Sequence, residues 1–403
     1  MKIMPWAING VAALTLSASL TAYADVQIGA LYPLSGGLAL LGDESYRGLE
    51  IAVAERNAAG GLKGEPIKLI KADAVDAAQA VSAARRLTSS ENVAAVFGSY
   101  SSALSFAATQ VTELAGIPYF ELGAVADNIT DRGLENVYRS NPTARDFAQG
   151  TITAITKLVA PQLKVDPANL KIAIIHEDAL YGTTIASFQK ELAMKEGLQV
   201  VEVLPYSAKA VDLSSLILRL KGSGADVVLQ TSYQNDTTLF FRQIREAGFT
   251  PKAIIGAGGG YSMQDTVKVV GAQNIEGVLD VDFPQFHTNE AGAPGIAAFA
   301  EAYRARYGSE PRSGHSLINY VGAKVFLDAM AQAKTFDAQD IREAVKAVDI
   351  PVGQTAANIG AKFGENGQNE RAQTTIMQWQ QGVLKTVYPP AAAVAQATLA
   401  SQP

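Results

Sequence analysis

Short apolar runs alternate with amphipathic runs along most of the chain, and this alternation predicts its fold. The runs Val26–Leu31 and Val93–Phe97 are typical of buried strands, whereas Ala77–Ser89 and Ser102–Ala115 have the spacing of helices. The alternation restarts after Asn141-Pro142. Because alternating strands and helices favour parallel sheets covered by helices on both faces, the sequence predicts an α/β fold built from two similar units.

The predicted elements also locate the edge at which a ligand would bind. The other predicted strands are Pro66–Lys71, Ile117–Phe120, Lys171–His176, Val200–Leu204, Asp226–Thr231 and Ala253–Gly256. The late helices are Ala297–Tyr307, Ser316–Ala333 and Ala338–Val348. Ligands of open α/β sheets bind at the carboxyl ends of strands. The segments expected there are Pro33–Gly42, Gly98–Ser102, Gly123–Asp127, Glu177–Gly182, Ser232–Asp236 and Ala257–Tyr261.

The N-terminal segment predicts export. Lys2 precedes an apolar stretch from Trp6 to Leu20, and Ala22-Tyr23-Ala24 then supplies the small residues that signal peptidase requires. A membrane anchor is the alternative, but the stretch is too short and too interrupted to span ~30 Å of hydrocarbon. No cysteine is present to carry a lipid. We therefore expect residues 1–24 to be a signal peptide that is cleaved after Ala24.

Composition excludes several kinds of function. The 403 residues carry a net charge of -6 and include no cysteine, so disulfides, thiolate metal sites and a cysteine nucleophile are excluded. No Lys/Arg run suggests a nucleic-acid partner. The three histidines, His176, His287 and His315, are far apart in the sequence. We expect neither a metal nor a cofactor.

Two glycine- or serine-rich turns and two tyrosines are candidate binding features. Gly98–Ser102 follows a strand and opens a helix, so its amides and hydroxyls suit a carboxylate, although a serine N-cap gives the same pattern. Gly256–Tyr261 lacks the sixth-position glycine of a dinucleotide loop, which favours close backbone approach to a ligand instead. Tyr181 and Tyr233 follow strands of the second unit and suit a half-polar solute, or simple packing.

Several motifs in this order resemble the leucine/isoleucine/valine-binding family of periplasmic proteins, which serve ABC importers. The resemblance covers residues 25–388, nearly the whole chain after the predicted signal peptide. It is carried by Val26–Gly36, Gly42-Asp43, Asn57–Gly64, Gly98–Ser102, Val137–Pro142 and His176–Gly182.

The resemblance implies a type I periplasmic-binding fold, in which two Rossmann-like lobes with parallel central sheets are joined by three hinge crossings. The crossings would lie near Ser140–Asn141, Val281–Asp282 and Pro351–Gly353. The first lobe would comprise residues 25–140 and 282–350. The second would comprise 141–281 and 351–388, followed by a loose tail, 389–403. The implied partners are a small solute and the membrane permease subunits of the importer, and we expect a periplasmic monomer.

The resemblance also implies the residues of a solute site. Ser102 aligns with the hydroxyl that meets the solute carboxylate. The loop Gly123-Ala124-Val125 would add backbone contacts, although Val125 replaces a threonine. Leu41 stands where leucine binders have a tyrosine. Other implied contacts are Tyr100 and Ser101 of the serine turn, and Tyr181 and Tyr233 of the second lobe.

Gly258 is the largest departure from the family pattern, because amino-acid binders have a glutamate there that pairs with the solute ammonium. Burying an ammonium without a countercharge costs several kcal/mol. Two interpretations follow: either Glu121 or Asp236 replaces the lost glutamate, or the solute is an amine-free aromatic or short organic acid.

Two further classes remain as alternatives to a solute receptor. An α/β enzyme would need a catalytic group or cofactor loop, and neither the Walker A pattern nor G-x-S-x-G occurs. A two-lobed sensor or repressor would carry a DNA-binding helix pair at its N-terminus, where this chain has a predicted signal peptide.

Overall fold

Two central sheets organise the polypeptide. The structure, a computed structural model, describes Met1 and residues 25–399. Within these residues the first sheet has five strands and the second has seven. The strands are β1 (Val26–Tyr32), β2 (Ile67–Asp73), β3 (Ala95–Gly98), β4 (Tyr119–Glu121), β5 (Val137–Arg139), β6 (Lys171–Glu177), β7 (Gln199–Tyr206), β8 (Val227–Thr231), β9 (Ala253–Gly256), β10 (Leu279–Asp282), β11 (Thr375–Gln380) and β12 (Val383–Tyr388).

Helices connect the strands, and several begin at capping side chains. The Asp76 carboxylate accepts a hydrogen bond from the amide of Gln79 at 2.8 Å, and Thr143 forms a capping box with Asp146. The helices are α1 (Ala39–Ala58), α2 (Ala77–Ser89), α3 (Ser102–Leu114), α4 (Ala144–Thr153), α5 (Ala160–Leu163), α6 (Leu180–Lys195), α7 (Ser214–Ser223), α8 (Gln234–Glu246), α9 (Gln264–Val270), α10 (Ala272–Ile275), α11 (Ile296–Tyr307), α12 (Gly314–Gln332) and α13 (Ala338–Lys346).

The predicted α/β fold with parallel central sheets is confirmed. The first sheet has the order β2-β1-β3-β4-β5 with every pair parallel. The second has the order β12-β11-β10-β9-β8-β6-β7, in which β11 and β12 are antiparallel to their neighbours. The sequence did not predict β5, β10, β11 or β12 as strands. The last two form a hairpin through Gln381 and Gly382, both of which have positive φ.

The late helices cover the first sheet, so this unit combines early and late segments of the chain. The Phe326 ring on α12 stacks on Phe120 of β4 with centroids 4.3 Å apart. Helix α12 also crosses α1 closely, since a Cβ on Gly48 would lie 2.0 Å from the carbonyl oxygen of Ser316. Only glycine permits this approach, so the crossing is fixed by sequence.

The chain passes between the sheets three times, and the third passage differs from expectation. The first follows β5, and the second follows β10. We expected the third at Pro351–Gly353. Instead the following residues stay on the first sheet, because the Phe363 ring packs 5.1 Å from Phe326. The chain reaches the second sheet only at Thr375, where β11 begins.

The expectation of a loose tail from residue 389 onward also differs from the structure. Ala392 is fully buried. The amide of Thr398 donates to Oε1 of Gln378 at 2.8 Å, and the Gln162 side chain donates to the carbonyl of Ala397 at 2.9 Å. Because these polar groups are paired, residues 389–399 form a packed extension of the second sheet's surface.

Residues 2–24 of the predicted signal peptide lie outside the described residues. Among the described residues, no helix combines the length and apolar character needed to cross a membrane.

Candidate functional site

A small cavity lies where strand ends of the two sheets face each other. The space among its wall atoms is ≈ 290 Å³, counting the part that is open to solvent, and the centre of a water-sized sphere can occupy ≈ 20 Å³ of it. The walls of the cavity therefore lie close together. Six of the ten lining residues carry aromatic rings. The lining residues are Tyr100, Gly123, Val125, Phe147, Tyr181, Tyr233, Gly259, Asp282, Phe283 and His315.

The serine turn lies between β3 and α3 and contributes one ring to the cavity. Tyr100 lines the cavity with φ of 73° and donates from its hydroxyl to the carbonyl of Leu38 at 3.2 Å. Ser101 is the N-cap of α3 but makes no side-chain hydrogen bond to the first turn. The amides of that turn therefore remain available to an anion. Ser101 and Ser102 are buried but are not among the cavity-lining residues.

Glu121 is fully buried beneath the serine turn, and its carboxylate holds the turn together. Oε1 accepts hydrogen bonds from the amides of Gly123 at 2.8 Å and Ala124 at 2.6 Å, while Oε2 accepts from the amide of Ser99 at 3.1 Å. Burial raises the pKa of Glu121 in spite of these donors. Because both oxygens already accept hydrogen bonds, the structure argues against Glu121 as the replacement for the family's glutamate.

The loop after β4 forms one cavity wall. Gly123 and Val125 line the cavity, and a Cβ on Gly123 would lie 2.8 Å from Cβ of Tyr100. Ala124 lies behind this wall, where its carbonyl accepts from the Asn141 side chain at 3.0 Å. Val125 therefore presents an apolar surface where the family pattern has a hydroxyl.

Two tyrosines form the wall on the side of the second sheet. The rings of Tyr181 and Tyr233 lie 5.2 Å apart, and the Tyr181 hydroxyl donates to the carbonyl of Ala257. Burial raises the pKa of both phenols well above the ordinary value, so both remain protonated donors. Leu41 does not line the cavity, because it packs against Tyr100 and Met263 beside it.

Asp236 lies behind Tyr233 and does not reach the cavity. Its Oδ1 accepts from the Tyr233 amide at 2.9 Å at the start of α8, and its Oδ2 accepts from the Tyr206 hydroxyl at 2.7 Å. Burial raises the pKa of Asp236 to about 7. Because both oxygens already have partners, the structure also argues against Asp236 as the group that receives a solute ammonium.

Gly258 has a carboxylate beside it, although not the one that the sequence suggested. A Cβ on Gly258 would lie 3.2 Å from Oδ1 of Asp282, which lines the cavity. Gly258 itself donates from its amide to Oδ1 of Asp280 at 3.0 Å. Burial raises the pKa of Asp282 to about 7. A buried acid therefore does face the cavity at this end.

Sequence reasoning missed four cavity residues: Phe147, Asp282, Phe283 and His315. The Phe283 ring packs at right angles against Phe147, 5.5 Å away, and against His315, 5.2 Å away. Burial lowers the pKa of His315 to about 3, so its imidazole is neutral. Among the described residues, no three His, Asp or Glu side chains are grouped to hold a metal ion.

The fold and the sequence both match known proteins. A family model described as periplasmic binding protein matches residues 25–383. The Leu/Ile/Val-binding protein homolog 7 of Brucella suis biovar 1 (strain 1330) is 57% identical over 384 residues, covering 95% of this chain and 96% of that protein.

Solved structures agree on the fold. A branched-chain amino acid substrate-binding protein of Streptococcus pneumoniae in complex with isoleucine has a TM-score of 0.76 at 22% identity, covering 92% of this chain and 99% of that one. A solute-binding protein of R. palustris in complex with benzoate has a TM-score of 0.77 at 19% identity, covering 94% and 100%. The predicted type I periplasmic-binding fold is confirmed, and the chain belongs to the leucine/isoleucine/valine-binding family of periplasmic binding proteins.

Proposed function

We propose that this protein is the periplasmic receptor of an ABC importer and that it holds a small carboxylate-bearing solute between two closing lobes. The observation that carries the proposal is the cavity itself, which lies between the strand ends of the two sheets and is walled by side chains from both. Among the hydrogen bonds of the described residues, none joins a nucleophilic side chain of the cavity wall to a side chain that could act as its base. The cavity is therefore suited to holding a solute rather than to transforming it.

The carboxylate of the solute would meet the start of α3. Ser101 leaves the first-turn amides of this helix without a side-chain cap, and the helix N-terminus favours negative charge. Ser102 would add its hydroxyl proton, because its oxygen already accepts from Ala126. Tyr100 and Val125 would contact the apolar part of the solute, and Tyr181 and Tyr233 would close over it.

The lobes would follow the sheets. We place residues 25–139 and 283–371 in the first lobe and residues 140–282 and 375–399 in the second, which moves the third crossing to residues 372–374. Solute binding would stabilise the closed arrangement, and the membrane permease would recognise that form. The receptor would act as a periplasmic monomer after cleavage at Ala24 and would not bind nucleic acid.

Two solute classes remain in competition, amino acids and amine-free acids. A complex with isoleucine and a complex with benzoate both occur on this fold at low identity, so the fold alone favours neither. The carboxyl group of Asp282, beside Gly258, bears on the choice between amino acids and amine-free acids.

A thermal-shift screen tests the carboxylate assignment. The exported protein would be mixed with each L-amino acid, with benzoate and hexanoate, and with the amides of the same compounds. We expect at least one carboxylate to raise the melting temperature while its amide does not. Equal stabilisation by acid and amide would contradict the assignment, and no stabilisation by any acid would contradict the proposed function. Screening with mixed nucleotides and sugars serves as the control for an unrelated ligand class.

A further inference from the structure

The position of Asp282 follows from the pairing of two neighbouring strands. In the second sheet β10 runs parallel to β9, with Asp280 opposite Gly256. Continuing that register by two residues places Asp282 beside Gly258. Since side chains of a strand alternate between faces, Asp280 and Asp282 point to the same side of the sheet. Both carboxylates therefore approach the loop that begins at Gly258.

The Asp282 carboxylate occupies the space into which a side chain at position 258 would project. A Cβ on Gly258 would lie 2.9 Å from Cε1 of Phe147 and 3.2 Å from Oδ1 of Asp282, and Gly258 has a φ of 74°, which favours glycine. A glutamate at position 258 would thus collide with the residues already present. The carboxylate that the family pattern places at 258 is here replaced by one from the adjacent strand.

Asp282 lacks a partner for one of its oxygens. Its side chain is buried, with 1% of the residue surface exposed, and Oδ1 accepts from the amide of Phe283 at 2.7 Å. Oδ2 is buried and accepts no hydrogen bond by the usual geometry from the described residues, although the Ser262 hydroxyl lies near the carboxyl and lowers its pKa. None of the ion pairs of the described residues includes Asp282. A buried carboxylate without a countercharge is costly, and a cation in the cavity would remove that cost.

The other walls also suit a cation. The rings of Phe147, Phe283 and Tyr181 surround the same cavity, and aromatic faces attract ammonium groups when water is excluded. His315 presents a neutral imidazole and therefore adds no positive charge. The cavity thus combines one acid with several aromatic faces, which is the chemistry that recognises an organic ammonium ion.

We propose that Asp282 receives the ammonium group of the solute, and that the solute is therefore an amino acid rather than an amine-free acid. This inference rests on the proposed function, in which the solute carboxylate meets the start of α3. A zwitterion held in this way joins the two lobes through its two charged ends. Solutes that lack either charge would stabilise closure less.

Affinity measurements on wild type and two variants test the inference. Calorimetry would compare each amino acid that stabilises the protein with its amine-free analogue, for example leucine with 4-methylpentanoate and phenylalanine with 3-phenylpropanoate. Asp282→Asn removes the charge with little change in shape. Asp236→Asn is the matched control. Asp236 is also a buried aspartate of the second lobe, but both of its carboxylate oxygens already accept hydrogen bonds.

We expect Asp282→Asn to weaken amino-acid binding at least about 30-fold, as truncating a buried charge pair does, while the amine-free analogue binds as well as or better than before. Asp236→Asn should keep the wild-type preference. Equal loss for both compounds, or amino-acid affinity that is unchanged in Asp282→Asn, would overturn the role of Asp282 but leave the proposed function intact. Absence of binding by both compounds in wild type would overturn the proposed function and the inference together. If Asp282→Asn does not fold, Asp282→Ser provides the same comparison.

Discussion

The hydroxyl of Ser102 accepts a hydrogen bond from the amide of Ala126 at 3.2 Å, and this contact joins the start of α3 to the loop after β4. Both residues are buried. Ser102→Ala leaves the amide without a partner, which costs ~1–3 kcal/mol. We expect a loss of ~1–3 kcal/mol in the free energy of unfolding, measured with urea, and a similar loss in solute affinity, measured by calorimetry.

Ser82→Ala is the matched control for that prediction. Ser82 is exposed on α2, and its hydroxyl donates to the carbonyl of Ala78 in the same helix at 3.1 Å. Surface substitutions of this kind change stability by less than about 0.5 kcal/mol. Unchanged solute affinity in Ser102→Ala would show that the serine turn does not hold the carboxylate.

Arg139 connects the first crossing to the cavity loop. Its guanidinium is fully buried and donates to the carbonyl of Ala126 at 2.7 Å, to the Gln368 side chain at 2.5 Å and to the Thr130 hydroxyl at 3.2 Å. A lysine carries one ammonium group instead of a planar guanidinium with several N–H donors, so it cannot reach all three acceptors. We expect Arg139→Lys to lower the free energy of unfolding by ~1.5–3 kcal/mol in urea titrations.

An exposed arginine provides the comparison. Arg145 pairs with Glu191 at 3.1 Å, and about half of each side chain is exposed. Arg145→Lys should change the free energy of unfolding by less than about 1 kcal/mol, since exposed ion pairs contribute little. Equal effects of the two arginine substitutions would contradict the structural role assigned to Arg139.

Local signals made most of the fold predictable. Helix α2 was predicted with its observed bounds, Ala77–Ser89, because the apolar spacing is regular and Asp76 caps its start. Strand β9 was also predicted as Ala253–Gly256. In both cases the residues that decide the structure lie within the element. Strand β5 has only three residues, Val137–Arg139, and its pairing with β4 is a tertiary contact that no short pattern reveals.

The cavity was predictable only where it is formed by strand ends. Tyr100, Val125, Tyr181 and Tyr233 follow strands, and the structure brings them to one cavity. Asp282 lies at the end of a strand as well, but the sequence suggested only a crossing there. Its proximity to Gly258 depends on the pairing of β9 with β10, whose partners are 24 residues apart (280 minus 256).

Glu121 has contacts that the sequence could not reveal. Its place beside a strand end suggested a ligand contact, and in the structure its carboxylate accepts hydrogen bonds from the amides of Ser99, Gly123 and Ala124. These amides come from two different loops, the turn after β3 and the loop after β4, and they meet only in the folded protein. The hydrophobic periodicity of the sequence gives no sign of such a contact.

The Asp280 carboxylate should make stability depend on pH. Burial, followed by the nearby Asp282 charge, raises the pKa of Asp280 well above its ordinary value. In the unfolded chain an aspartate loses its proton near pH 3.9. Between that pH and the native pKa the unfolded state binds fewer protons, so stability falls as pH rises. Asp280→Asn cannot ionise and should raise the free energy of unfolding at pH 8, with a smaller gain at pH 5.

Urea titrations of the solute-free protein at pH 5 and pH 8 measure this effect. Asp328→Asn is the control, because its side chain is 65% exposed in a surface pair with Arg56 and should change stability little at either pH. A gain for Asp280→Asn that is equal at both values, or absent at pH 8, would contradict a raised native pKa.

Solute binding should itself depend on pH through Asp282. Burial raises the pKa of this carboxyl to about 7, and an ammonium ion requires its ionised form, so binding below pH 7 must release a proton. Asp280, Tyr181 and Ser262 also face Asp282, but neutral His315, with a pKa of about 3, does not titrate above pH 5. Calorimetry of a stabilising amino acid should show affinity falling by up to about tenfold per unit from pH 7 to pH 5. The profile should be flatter in Asp282→Asn, and a flat wild-type profile would contradict the pairing.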